Sequence, residues 1–338
     1  MKFTTQFLLF LFILPILSFG QVSFGDVNIT PRMRVIVDND YGGDPDGLFM
    51  LAHMLMSPSV EIRAVVGSHL REGDGFDPSD QQAVNAVQQA KKLMEVMGVE
   101  QDIPVVQGSN TGMVDESTPI KTDAVDFIIQ EARRTDTELP LFVVCGGGLT
   151  EIASALLTAP DIADKLTLVW IGGPEYTDIS IPPPGYSTPE YNLNIDINAG
   201  QAVFNQTEVM IWQVPRNAYR QPILSYAELV LKVKPLGETG AYLTGLMEDL
   251  MRRINPYVNM GETYIYGDNP LVLLTALQSP WESDPSSSFY AIRESPLIND
   301  DGIYQFNHAG RPIRVYYDLD VELLFNDFLA KLELLALE

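Results

Sequence analysis

Residues 34–51 read Arg-Val-Ile-Val-Asp-Asn-Asp-Tyr-Gly-Gly-Asp-Pro-Asp-Gly-Leu-Phe-Met-Leu. Val35, Ile36 and Val37 form a β-branched run with the pattern of a buried strand. The run ends in four carboxylates, Asp38, Asp40, Asp44 and Asp46, with Gly42, Gly43, Pro45 and Gly47 set among them. Glycine and proline at that density predict a tight turn. The apolar run over residues 48–56 then predicts a helix buried on most faces. A strand that hands acids to a loop, followed by a helix, puts those acids at the carboxyl edge of an α/β sheet, where such sheets bind ligands. Carboxylates so closely spaced repel one another, so either some hold a proton or a cation gathers them. Ca²⁺ and Mg²⁺ take oxygen ligands and suit the role. The alternative is a solvated acidic loop in an acidic protein.

Two familiar motifs fail at single positions. An EF-hand loop begun at Asp38 has its glycine at Gly43 but Phe49 where the bidentate acid belongs. A phosphatase-type Asp-x-Asp strand end fits Asp38 and Asp40, but Tyr41-Gly42-Gly43 lacks the Thr or Val that this chemistry needs.

Outward from this stretch, strands are predicted at 61–67, 103–107, 141–145, 166–171, 209–214 and 314–319. Helices are predicted at 81–97, 123–134 (N-cap Thr122), 150–157, 226–232, 242–254 and 321–335. Their alternation predicts a mostly parallel central sheet with helices on both faces, in a single domain from residue 21 to 338. In 189–204, Glu190, Asn192, Asn194 and Asp196 alternate with Tyr191, Leu193, Ile195 and Ile197. That is either a half-exposed strand or a row of short acids and amides suited to a polyhydroxylated ligand. Asp268 stands just before the apolar run 270–274, as a helix N-cap would. His53, inside an apolar helix, reads as a core histidine.

Residues 1–20 carry Lys2, an apolar run over 7–17 and small residues near Gly20, the pattern of a cleavable secretory signal. The run is shorter than the roughly 20 residues a bilayer span needs. A periplasmic or secreted protein without a stable membrane anchor is expected. Cys145 is the only cysteine, which excludes an internal disulfide. A net charge of −24 disfavours a nucleic-acid polymer as partner and is compatible with a neutral small molecule or a cation.

Asp38, Asp40, Gly42, Asp44 and Asp46 resemble the nucleoside hydrolase signature Asp-x-Asp-Pro-Gly-x-Asp-Asp, with Tyr41 for the usual proline and Pro45 inserted between the last two acids. The likeness extends along most of the chain and implies a Ca²⁺-dependent cleavage of the N-glycosidic bond of a riboside. It implies Asp40 as general base and metal ligand, with Asp46, the Gly146 carbonyl and Asp268 completing the metal set. It implies Asp44, Glu190 and Asn192 as ribose ligands, and His69 at the position of a substrate-binding Asn. Asp38 matches the first signature acid and Asp196 the acid four residues after Asn192. Family members are often oligomers, so a homo-oligomer is an open expectation. The histidine that usually precedes the last Asp, and protonates the departing base, is here Gly267. His69, Tyr219, Arg220, Tyr264 and Tyr266 are the candidates to replace it. That departure keeps open a riboside- or sugar-binding protein without turnover. A metal-dependent phosphoester hydrolase acting through Asp38 and Asp40 is the other alternative.

Overall fold

The computed structural model describes residues 22, 24–99, 103–186, 188–279, 281 and 287–337. The proposed signal segment, residues 1–20, lies outside them. The framework is a sheet of eight strands. They are β1 (Arg34–Asn39), β2 (Glu61–Gly67), β3 (Val105–Gln107), β4 (Leu141–Cys145), β5 (Leu166–Ile171), β6 (Met210–Val214), β7 (Phe289–Glu294) and β8 (Pro312–Asp318). Their order is β3-β2-β1-β4-β5-β6-β8-β7. All neighbours are parallel except β8 and β7, which pair antiparallel at one edge.

The strands are apolar on both sides because both sides are covered. Val35, Val37, Val144 and Val169 face one core cluster, while Ile36, Val143, Leu168 and Trp170 face the other. Helix α1 (Asp46–Leu55) and α2 (Gln82–Val96) contribute to the first cluster. Helices α3 (Asp123–Ala132), α4 (Thr150–Thr158) and α5 (Ile197–Gln206) contribute to the second. The Thr122 hydroxyl accepts from Val125 N, as an N-cap does.

Every residue of α1 is buried, including His53. On its outer side, His53 Nε2 donates to Asp327 Oδ2 at 2.7 Å, on the helix Val321–Leu337. Lys331 Nζ meets Asp327 Oδ2 at 2.6 Å and donates to Ser57 Oγ at 2.9 Å. Burial and the Lys331 charge lower the His53 pKa to about 4 against the opposing pull of Asp327, so the ring is neutral near pH 7.

The strand order reverses direction between β1 and β4, which are hydrogen-bonded neighbours. A crevice opens at such a switch point, outside the carboxyl ends of the strands. Asp40 follows β1 and Gly146 follows β4, so the fold brings them to the same crevice.

Two expectations need correction. The 189–204 segment contains no strand: it is a turn-rich loop followed by α5. Asp196 is the N-cap of that helix, with Oδ1 accepting from Ala199 N at 3.0 Å. Asp268 is not an N-cap either; the short helix Pro270–Leu273 starts after Asn269, and the Asp268 carboxylate turns the other way, toward β1.

Candidate active site

A cavity of about 550 Å³ lies over the switch point. Asp40, Asp44, Asp46, Asp268, Asn192 and Gly146 line one part of it. Acids more than two hundred residues apart thus meet, and they do so directly: Asp268 N donates to Asp46 Oδ2 at 3.2 Å across a separation of 222 residues.

Asn39, the last residue of β1, organises this floor. Its Oδ1 accepts from Asp40 N at 2.8 Å and its Nδ2 donates to Asp268 Oδ2 at 2.8 Å. The amide is fully buried and wedged between two glycines. A Cβ on Gly146 would stand 2.5 Å from Asn39 Nδ2, and one on Gly47 2.8 Å from the same atom. Both are far inside contact distance, so these positions must lack a side chain. Sequence reasoning passed over Asn39 because an amide between two acids looks like a spacer.

The carboxylates pay an electrostatic penalty for their company. Burial, then the charges of Asp268 and Asp44, push the Asp40 pKa well above the ordinary carboxylate range. Burial and the same two neighbours do the same to Asp46. Asp268 is pushed up to about 8, by burial first and the Asp44 charge after it, with the Asn39 hydrogen bond opposing. Among the described residues no three acidic, histidine or cysteine side chains are already drawn into a closed cation cage. Three of the four acids turn to a protein donor: Asp268 to Asn39, Asp46 to the Asp268 amide and Asp44 to the Tyr264 hydroxyl. Mutually repelling hard oxygens beside the Gly146 backbone are nevertheless the kind of donor that a divalent cation takes.

Asn192 and Gly146 are joined, Asn192 Nδ2 donating to Gly146 O at 2.9 Å and to Ile171 O at 2.8 Å. Asp38, the first acid of the motif, does not reach the cavity. It sits in the other core beside Glu151 and Ser68, with neither carboxyl oxygen hydrogen-bonded in good geometry. Burial, and next the Glu151 charge, raise its pKa well above normal, which favours the protonated acid.

Two expected sugar ligands lie outside the cavity lining. Glu190 is buried behind it: Oε2 accepts from Gly173 N (2.7 Å) and Leu193 N (3.1 Å), and Oε1 from Tyr219 Oη (2.6 Å). The residue that faces the cavity there is Tyr219. His69 is also buried, with Nδ1 donating to Leu70 O at 2.8 Å and Nε2 joined to Thr150 Oγ1 at 2.8 Å. Thr150 in turn donates to Asp196 Oδ2 at 2.7 Å. His69 therefore braces α4 against the start of α5.

The rest of the cavity is mostly aromatic and aliphatic. Tyr186, Tyr191, Tyr219 and Tyr264 line it together with Arg220. Tyr191 Oη donates to Asp74 Oδ2 at 3.1 Å. Tyr266 is packed in the core against Phe49, with ring centroids 4.8 Å apart, and does not line the cavity. A Cβ on Gly267 would lie 3.4 Å from Tyr219 Cδ2, so the Tyr219 ring stands beside the place of the missing histidine.

The sequence profile of the inosine-uridine preferring nucleoside hydrolases matches residues 35–296. The chain belongs to that family. Its membership makes it an N-glycosyl hydrolase that acts on ribosides. Solved structures agree on the fold. A purine-preferring ribonucleoside hydrolase from Gardnerella vaginalis superimposes with a TM-score of 0.69 at 19% identity, covering 90% of this chain and 99% of its own. The plant nucleoside hydrolase PpNRh1 gives 0.68 at 21% identity, with the same coverage. An inosine-uridine preferring nucleoside hydrolase from Bacillus anthracis gives 0.64 at 18%, covering 89% of this chain and 99% of its own. No protein of curated function matches the chain.

Proposed function

We propose that this family member hydrolyses the N-glycosidic bond of a ribonucleoside or related riboside, using Ca²⁺ held by Asp40, Asp46, Asp268 and the Gly146 carbonyl. One observation carries the reading: the Asp268 carboxylate arrives beside Asp46 and Asn39 at the same cavity as Asp40. A hard divalent cation supplies positive charge that relieves the carboxylates, acidifies a water and anchors sugar hydroxyls.

The chain's own groups do the remainder. Asp40 takes the proton of the attacking water as general base. Asp44, steadied by the Tyr264 hydroxyl, and Asn192 hold ribose hydroxyls and fix the sugar over Asp40. As the bond to the base breaks, positive charge builds on the sugar, and the floor carboxylates stabilise it inside a partly closed cleft. Tyr186, Tyr219 and Tyr264 offer ring faces to the base. Glu190 acts through Tyr219, whose hydroxyl it holds. A periplasmic or secreted setting belongs to the same reading and rests on residues 1–20.

The test is release of free base and reducing sugar from a panel of purine and pyrimidine ribonucleosides in Ca²⁺. Expected is release that chelation and Asp40→Ala abolish. Ribose binding with no release from any nucleoside by the wild-type protein would overturn hydrolysis.

A further inference from the structure

One wall of the cavity carries a guanidinium. Arg220 lines the cavity, and its Nε is buried without a hydrogen-bond acceptor. Among the described residues no carboxylate forms an ion pair with it. Its guanidinium lies over the Tyr186 ring, 4.6 Å from the centroid. Arg216 stacks on the same ring at 4.9 Å, so two like charges share one aromatic.

The acids nearby are already engaged. Glu175 grips Arg216 with both oxygens, Arg216 Nε to Oε1 at 2.7 Å and Nη2 to Oε2 at 2.6 Å. Burial works to raise the Glu175 pKa, but the Arg216 hydrogen bonds and the charges of both arginines outweigh it and leave it below its usual value. Glu190 spends its oxygens on Tyr219 and two backbone amides. Arg220 thus faces the cavity with a buried, unsatisfied Nε while both neighbouring acids are committed elsewhere, an arrangement that an anionic ligand would complete.

We propose that Arg220 binds an anionic group of the substrate, so that the preferred riboside carries a carboxylate on its base or a phosphate at its 5′ position. This rests on the hydrolase reading for the reaction, though not for the binding. The planar guanidinium fork matches either group by paired hydrogen bonds, and Tyr186 keeps its plane fixed. The acids of the floor repel such an anion, so it is accepted only at the Arg220 end. Charge thereby sets the direction in which the substrate lies. Tyr219 beside Gly267 connects this wall to the place where the family's histidine stands.

Uridine, 5-carboxyuridine and uridine 5′-phosphate share one ring and one sugar and separate the two sources of charge. Binding is measured by calorimetry with Asp40→Asn protein in Ca²⁺, and base release with wild type. One of the two anions should bind about tenfold or more tighter than uridine, with a preference that shrinks as salt is raised. Which one it is tells whether Arg220 faces the base or the 5′ end. Arg220→Met should bring the ratio of anion to uridine close to one, and Arg220→Lys should restore part of it. Comparable thermal unfolding of both variants guards against a folding defect. Equal binding of all three compounds by a folded protein, or a preference that survives in Arg220→Met, overturns the proposal. If no compound is cleaved but the anion still binds preferentially through Arg220, hydrolysis fails and the charge assignment stands.

Discussion

At the floor of the cavity Asp40, Asp44, Asp46 and Asp268 gather, and Asp44, Asp46 and Asp268 each accept from one protein donor. The wall around Tyr186 has the opposite sign, with two guanidiniums on one ring and the Glu175 carboxylate paired to Arg216. The floor comes from β1, α1 and the Asp268 turn, elements locked into the sheet. The wall comes from the loop after β5 and the short helix Arg216–Tyr219 after β6. Under the proposed function the contrast assigns the reaction to the floor and the choice of substrate to the wall, two separate parts of the chain.

That contrast can be broken at its strongest point first. Asp40→Asn keeps the shape of the floor and removes the proposed base together with one carboxylate of the proposed metal set, so kcat/KM on the best riboside should fall by about 10³-fold or more, the loss of a general base alone accounting for about 10²–10⁴-fold. The Tm of the metal-free variant should hold or rise, because one buried repelling charge is gone. A comparable loss from an isosteric wall variant would erase the division of labour.

The floor should also reveal itself through pH. A folded-state pKa raised above the unfolded value adds stability that is complete at low pH and lost as pH climbs through the folded pKa. Asp268, pushed up to about 8, and Asp40 and Asp46, raised by burial and their neighbours, share this sign. Metal-free protein should therefore lose Tm between pH 6.5 and 8.5. His53 is silent in that window, since its folded value near 4 and the ordinary histidine value of 6.5 both lie at or below it. Saturating Ca²⁺ should flatten the slope and raise Tm by several degrees at pH 8, and Asp268→Asn should shrink both effects. Differential scanning calorimetry with and without chelator reads all of this; a Tm indifferent to Ca²⁺ removes the cation from the account.

Tyr219→Phe probes the seam between floor and wall. It strips Glu190 Oε1 of its donor and should destabilise the protein by about 1–3 kcal/mol. KM should rise by less than tenfold and kcat change little, because the ring face remains. Smallest of all, Gly267→Ala places a methyl at ordinary contact distance from Tyr219 and Asp46, 3.4 Å from each. Activity within about threefold of wild type shows that Cβ bulk does not explain the missing histidine; a collapse shows that it does.

Much of this was legible in the chain. β2, β4 and β5 begin and end where the sequence predicts, because strands buried on both faces carry nearly unbroken apolar runs. β7 escaped because an edge strand keeps one side in water, and Arg293 and Glu294 break its apolar pattern. Glu190 to Ile197 shows a period of two by coincidence of turns, and Asp196 just before an apolar run was the sign of a helix start. The acids of the floor were visible because repulsion within one loop calls for explanation. Asn39 and the Tyr186 stack were not, because their roles exist only after distant segments meet.

The clasp of His53, Asp327, Lys331 and Ser57 has a consequence for how the molecule is made. The helix that bears the cavity's Asp46 is sealed on its outer side by an element 274 residues downstream. Until that element has been synthesised and has docked, α1 lacks its cover, and the acids it helps to gather have no rigid support. Nascent chains stalled before residue 321 should therefore bind neither cation nor riboside, and ligand-binding competence should switch on late in synthesis, all at once.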